Sequence, residues 1–181
     1  MNLPNLISLA RLMSTPVVIW LILTDATMLA FWVFFIAAIS DAVDGFIAKR
    51  FGSATVLGAY LDALADKALL VSVYVALGAV GHLPLCLVLL VVFRDLLIVG
   101  GALLLWLLAS SFRIKPLMIS KVNTVAQIVL AMTVLGRLGF GMTVEGVELI
   151  QIYVVAATTL VSGASYMMGW MRIIGQAEIE Q

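Results

Sequence analysis

The chain has 181 residues, 64% of them hydrophobic and only 11% Asp, Glu, Lys or Arg, with a formal net charge of zero. With a mean hydropathy of +1.21, this composition argues against a soluble globular enzyme and a disordered chain, and offers nothing to attract a nucleic acid. The single Cys86 lies in an apolar run, which excludes a disulfide framework and any Cys-based metal cluster.

Taken in order, the apolar stretches predict six helices. The first runs from about Ile7 to Leu23, carries Arg11 near its entrance and ends at Thr24-Asp25. The second starts near Met28 and continues through Asp41 and Asp44 towards Lys49-Arg50, with a break at Phe51-Gly52-Ser53. The third covers Ala54 to about Val80 and is closed by Gly81-His82-Leu83-Pro84. The fourth, about Leu85 to Leu108, holds Arg94-Asp95 in its middle, and Ser110 to Pro116 is the longest polar connection. The fifth is expected from Ile119 to Leu135, with Arg137 and Gly139-Phe140-Gly141 in the following loop, and the sixth from Glu148 to Met171.

Stretches of this length suit bilayer crossing. The expected fold is therefore an all-α integral membrane protein, residues 1–181 forming one domain of six transmembrane helices in one bundle. An even span count puts both termini on one side. That side would hold Lys49, Arg50, Arg113, Lys115 and Arg172, against Arg137 alone opposite, so the termini are expected in the cytoplasm. The opening Met1-Asn2-Leu3-Pro4-Asn5 has no basic region or cleavage site of a secretory signal. With no transit peptide before the first span, a bacterial inner membrane is the expected location, a processed mitochondrial enzyme being the alternative.

Four aspartates stand where apolar residues belong. Asp41 and Asp44 are three apart on the second helix, and Asp62 and Asp66 four apart on the third, so each pair shares a helical face. Four isolated carboxylates at mid-membrane would cost on the order of 10–14 kcal/mol. Packing the two faces as an antiparallel hairpin would gather them, and like charges so close need cations between them. Lys67 and Arg50 could neutralise part of the cluster. Two hard divalent ions, Mg²⁺ or Mn²⁺, suit it better, since no His or Cys lies nearby. Gly45, Ala48 and Gly58 leave room beside the carboxylates for a ligand or a close backbone. Spacing alone leaves two readings open: a metal-dependent phosphoryl-transfer enzyme, and an ion or proton pathway of a transporter.

The stretch Asp41-x-x-Asp44-Gly45-x-x-Ala48-Lys49, followed after eight residues by Gly58-x-x-x-Asp62-x-x-x-Asp66, resembles the motif of the CDP-alcohol phosphotransferase family. Lys49 replaces the family's Arg, which keeps the charge and loses a bidentate donor. The resemblance implies a homodimer of six-helix subunits acting on the liponucleotide CDP-diacylglycerol, with the active site on the cytoplasmic side. It makes Asp41, Asp44, Asp62 and Asp66 ligands of two metal ions and Asp66 also the general base. Gly45, Ala48, Lys49 and Gly58 fall to the nucleotide.

Within the family, Arg94-Asp95 and Lys115-Pro116-x-x-Ile119-Ser120-Lys121-Val122-Asn123-Thr124 are similar to the eukaryotic-type, CMP-forming cardiolipin synthases, and so is Ser162-Gly163-Ala164-Ser165-Tyr166. That similarity implies phosphatidylglycerol as acceptor, the alternative being glycerol 3-phosphate. Arg94 and Lys121, cations inside spans, are the expected holders of the acceptor's anion. Asp95 leaves the helix about 100° from Arg94, so a partner for Arg94 elsewhere is expected. Thr124 and Gln127, on the turns beyond Lys121, are weaker candidates for the same pocket.

Overall fold

A computed structural model describes the backbone of residues 3–51, 56–108, 118–143 and 145–177, and the side chains of 9–40, 64–101, 118–143, 146–169 and 171. The described residues form six helices: α1 (Leu3–Leu23), α2 (Thr27–Phe51), α3 (Val56–Ala79), α4 (Leu85–Leu108), α5 (Met118–Phe140) and α6 (Glu145–Ala177). No strand occurs among the described residues.

The first tight connections are built the same way. After α1 the amide of Ala26 donates to the carbonyl of Leu21 at 2.9 Å and that of Asp25 to Ile22 at 3.2 Å. After α3 the amide of His82 donates to Leu77 at 2.8 Å and that of Gly81 to Gly78 at 3.1 Å. Both are Schellman closures, which require a left-handed residue just past the helix. Gly81 supplies it at φ 84° without strain, while Asp25 adopts φ 61°.

Packing orders the helices as a ring: α1 lies against α3, α3 against α4, α4 against α6, α6 against α5, α5 against α2 and α2 against α1, with α3 and α5 also touching across the middle. The centre is apolar on the α1 side, where Val18 and Ile22 of α1 join Leu69, Val73 and Leu77 of α3 in one buried core with Phe34 of α2 and Leu130 and Val134 of α5. Among the described contacts, α1 packs against both α2 and α3. Any meeting of their carboxylate-bearing ends lies outside the described side chains.

The fifth helix is longer than expected. It continues through Arg137 and Gly139 to Phe140, and the chain turns at Gly141, whose φ is 67°. Gly139 is there because α2 is close: a Cβ on it would stand 2.8 Å from the Cα of Met28. Arg137 is accordingly not a loop cation. Its Nε donates to Glu148 of α6 at 2.7 Å.

The outer surface is apolar on every helix, with Trp20, Ile36, Leu64, Leu96, Met118 and Tyr153 all exposed. Such a surface calls for a nonaqueous cover. Among the described residues, the segments Met118–Phe140 and Gly146–Gly169 are long and apolar enough to cross a membrane.

Candidate active site

The carboxylate motif sits on unbroken helix. α2 runs without interruption past Asp41, Asp44, Gly45, Ala48 and Lys49, and α3 begins at Val56 before Gly58, Asp62 and Asp66. The three- and four-residue spacings therefore act in the register they require. Of the expected metal and nucleotide residues, Asp66 alone has a described side chain. It is half-buried and interacts with its surroundings. The side chains of Asp41, Asp44, Gly45, Ala48, Lys49, Gly58 and Asp62 lie outside the described residues. As a donor set, carboxylates carried by two continuous helices have the chemistry of a hard divalent cation site.

One residue beyond Asp66, the structure becomes specific. Lys67 turns to α4, where its Nζ donates to Oδ1 of Asp95 at 2.9 Å. The same oxygen accepts a short hydrogen bond from Nη1 of Arg94. Both Arg94 and Asp95 are 2% exposed, so two cations share one buried carboxylate. Arg94 extends further: Nε and Nη2 donate to the Ser162 hydroxyl of α6 at 3.2 and 2.7 Å, and Nη2 also to the Ser120 hydroxyl of α5 at 2.6 Å. One guanidinium thus ties α4, α5 and α6, and through Asp95 it reaches α3.

This geometry corrects one expectation. Arg94 does find its partner in the adjacent Asp95. The 100° between their Cα–Cβ directions is overcome because the arginine side chain is long enough to fold back across the helix surface, and its planar fork then still reaches both serines. Lys67 pairs with Asp95 across the α3–α4 contact.

The acceptor candidates separate. Arg94 is buried and holds protein partners on Nε, Nη1 and Nη2, whereas Lys121 is exposed beside Ser120. Thr124 donates back to the carbonyl of Ser120 at 3.1 Å, a bond within its own helix. Below the Arg94 junction, Asn123 and Gln127 of α5 are fully buried. The hydroxyls of Thr158 and Thr159 on α6 reach Oδ1 of Asn123 at 2.8 and 2.9 Å. Tyr74 of α3 donates to the carbonyl of Gln127 at 3.0 Å.

Sequence reasoning missed Lys67–Asp95 as a bridge and the serines as ligands of Arg94. The signal was there: Ser120, Asn123 and Gln127 share one face of α5 at i, i+3 and i+7, and Thr158, Thr159 and Ser162 cluster within little more than a turn of α6.

Comparison with known proteins bears on the same residues. The family model described as CDP-alcohol phosphatidyltransferase matches residues 1–171. A chloroplastic CDP-diacylglycerol–glycerol-3-phosphate 3-phosphatidyltransferase of Oryza sativa is 39% identical over 96% of this chain and 58% of its own. The CMP-forming cardiolipin synthase of Homo sapiens is 33% identical over 71% of this chain and 48% of its own. A CDP-diacylglycerol–glycerol-3-phosphate 3-phosphatidyltransferase of Rickettsia typhi is 32% identical over 91% of this chain and 94% of its own. The chain thus spans about half the length of the rice and human relatives and nearly all of the rickettsial one. A family match running from the first residue into the last turns of α6 leaves one assignment: the chain belongs to the CDP-alcohol phosphatidyltransferase family.

Proposed function

We propose that the chain is a six-span membrane enzyme that transfers the phosphatidyl group of CDP-diacylglycerol to phosphatidylglycerol, releasing CMP and forming cardiolipin. The observation that carries this reading is the helical register of the carboxylate motif on α2 and α3 beside a buried junction with two cations on one carboxylate. Asp41, Asp44, Asp62 and Asp66 would hold divalent ions, two of Mg²⁺ or Mn²⁺, whose chemistry is to neutralise the diphosphate. Gly45, Ala48, Lys49 and Gly58 border the nucleotide. In the reaction an acceptor hydroxyl oxygen bonds to the β-phosphorus while the bond from that phosphorus to the bridging oxygen of CMP breaks. The hydroxyl proton passes to Asp66.

The junction supplies the acceptor side. Lys67 and Arg94 against Asp95 leave a formal charge of +1 in a buried setting, which favours an anionic ligand. The phosphodiester of phosphatidylglycerol fits this role if it replaces the serine hydroxyls on Arg94, with exposed Lys121 at the rim. Glycerol 3-phosphate is the second reading. It is favoured by the names of the rice and rickettsial relatives, the latter close to this chain in length. We further place both termini and the active site on the cytoplasmic side, and assign the outward row Leu85, Leu89, Phe93 and Leu96 of α4 to lipid or to the second copy of a homodimer.

The test is CMP release from CDP-diacylglycerol by purified protein with Mg²⁺ or Mn²⁺, offering phosphatidylglycerol and glycerol 3-phosphate separately. CMP and cardiolipin with phosphatidylglycerol alone support the first reading. Turnover with glycerol 3-phosphate alone moves the enzyme to the second. Chelation of divalent ions should abolish release in either case, and ion flux without CMP would return the transporter reading.

A further inference from the structure

The polar residues below Arg94 form a column inside an otherwise apolar bundle, and that column is incompletely paired. Asn123 and Gln127, both 0% exposed, sit one turn apart on the same face of α5. Nδ2 of Asn123 and both Nε2 and Oε1 of Gln127 have no hydrogen-bond partner among the described residues, and neither does Oδ2 of Asp95 at the column's other end. The hydroxyls of Thr158 and Thr159 satisfy Oδ1 of Asn123 on the α6 side, and Nδ2 is left over, while Gln127 has neither end of its amide paired among the described residues.

Buried polar atoms without partners are strongly unfavourable, and three on two neighbouring side chains would erode much of a domain's net stability. Donors and acceptors lie side by side, so an ion of either sign satisfies only half of them. The backbone carbonyl of Gln127 is already taken by the hydroxyl of fully buried Tyr74, so the side-chain amide needs a partner of its own. Asn123 and Gln127 are separated by about 6 Å along the helix, the span covered by two hydrogen bonds through one small bridging molecule.

We propose that this column is a water-binding site, in which at least one ordered water bridges the side-chain amides of Asn123 and Gln127 between α3, α5 and α6. The water accepts from one amide, donates to the other, and converts the α5–α6 contact into a hydrated seam. Such water also offers Ser120 and Ser162 replacement partners when an acceptor anion takes Arg94 from them, a consequence that rests on the proposed acceptor role.

The experiment is solid-state NMR on the full chain in lipid bilayers, with Asn and Gln side-chain amides labelled with ¹⁵N. Magnetisation is transferred from water protons, and Gln127→Leu assigns the Gln127 signal by removing it. Should that variant fail to fold, Gln127→Glu assigns the same signal. The expected result is millisecond water transfer to the Gln127 side-chain amide, together with a Tm a few degrees lower in Gln127→Leu. Two results overturn the proposal: no water transfer to that amide, or a Tm raised by Gln127→Leu, since an apolar side chain improves a dry site. No substrate is needed, so the outcome is separate from that of the acceptor assay.

Discussion

The two sides of the bundle are held together by different physics. Along α1 and α3, Val18, Ile22, Val73 and Leu77 are almost completely buried and pack together in the apolar core. Across α4, α5 and α6, the contacts that fix relative position are polar: Arg94 to Ser120 and Ser162, and Thr159 to Asn123. An apolar seam tolerates small slippage, because dispersion and burial are nondirectional. A guanidinium shared among three helices does not, because each bond has a required direction. The apolar side therefore supplies bulk stability, and the polar side sets the position of the groups beside the carboxylate motif.

The sharpest break between motif and scaffold should come from Asp66→Asn. This nearly isosteric change removes a proton acceptor, and CMP release should fall by about 10²–10⁴-fold. Thermal unfolding should change little, because Asp66 is half-buried rather than part of the central core. A variant that loses activity only in proportion to lost folded protein would make Asp66 a scaffold residue and undo the division.

Next comes a direct comparison of the two sides. Arg94→Met leaves Asp95 and Lys67 to each other and strips Ser120 and Ser162 of their partner, so it should cost about 3–5 kcal/mol, as for a broken buried pair. Leu77→Ala on the apolar side should cost about 2–5 kcal/mol through its cavity. The distinction appears in the pair: Arg94→Lys should recover only part of the loss, since a point charge cannot reach both serines, while Leu77→Met should recover nearly all. Unfolding in detergent measures both. Full recovery by Arg94→Lys would show that charge alone, without direction, holds the polar side.

The two sides also differed in how legibly the sequence displayed them. Helix count and the limits of α4, Leu85–Leu108, follow from apolar runs bounded by turn residues. The carboxylate register was readable because its spacing is local. The end of α5 was not: Gly139 looks like a terminator, yet it is a helical residue whose missing side chain admits Met28 of α2, and the turn waits for Gly141. Nor was Lys67–Asp95, which joins residues 28 apart whose neighbourhood depends on the order of helices around the ring. Local patterns reveal faces, and only packing reveals which faces meet.

Gly139→Ala measures how rigid the α2–α5 contact is. The added methyl would meet the backbone of Met28 at 2.8 Å, and backbone cannot rotate aside as a side chain can. The expected loss is about 1–3 kcal/mol. The matching change at Gly78, whose added Cβ meets only the side chain of Val88 at 2.8 Å, should cost less. Equal losses at the two positions would mean that α2 can move away from α5 as readily as Val88 changes its side-chain position.

The smallest effect is expected at the far end of the same helix pair. Arg137 and Glu148 join α5 to α6 at 2.7 Å, but their side chains are 27% and 12% exposed, against 2% and 3% for Arg94 and Asp95. Partial hydration weakens the attraction and softens the loss when one partner goes, so Arg137→Gln should cost about 1 kcal/mol or less. The cost should shrink further as salt is raised, while that of Arg94→Met should hardly respond. An Arg137→Gln loss as large as that of Arg94→Met, and as insensitive to salt, would break this ranking. It would mean that the Arg137–Glu148 pair holds α5 against α6 as firmly as the buried Arg94 junction does.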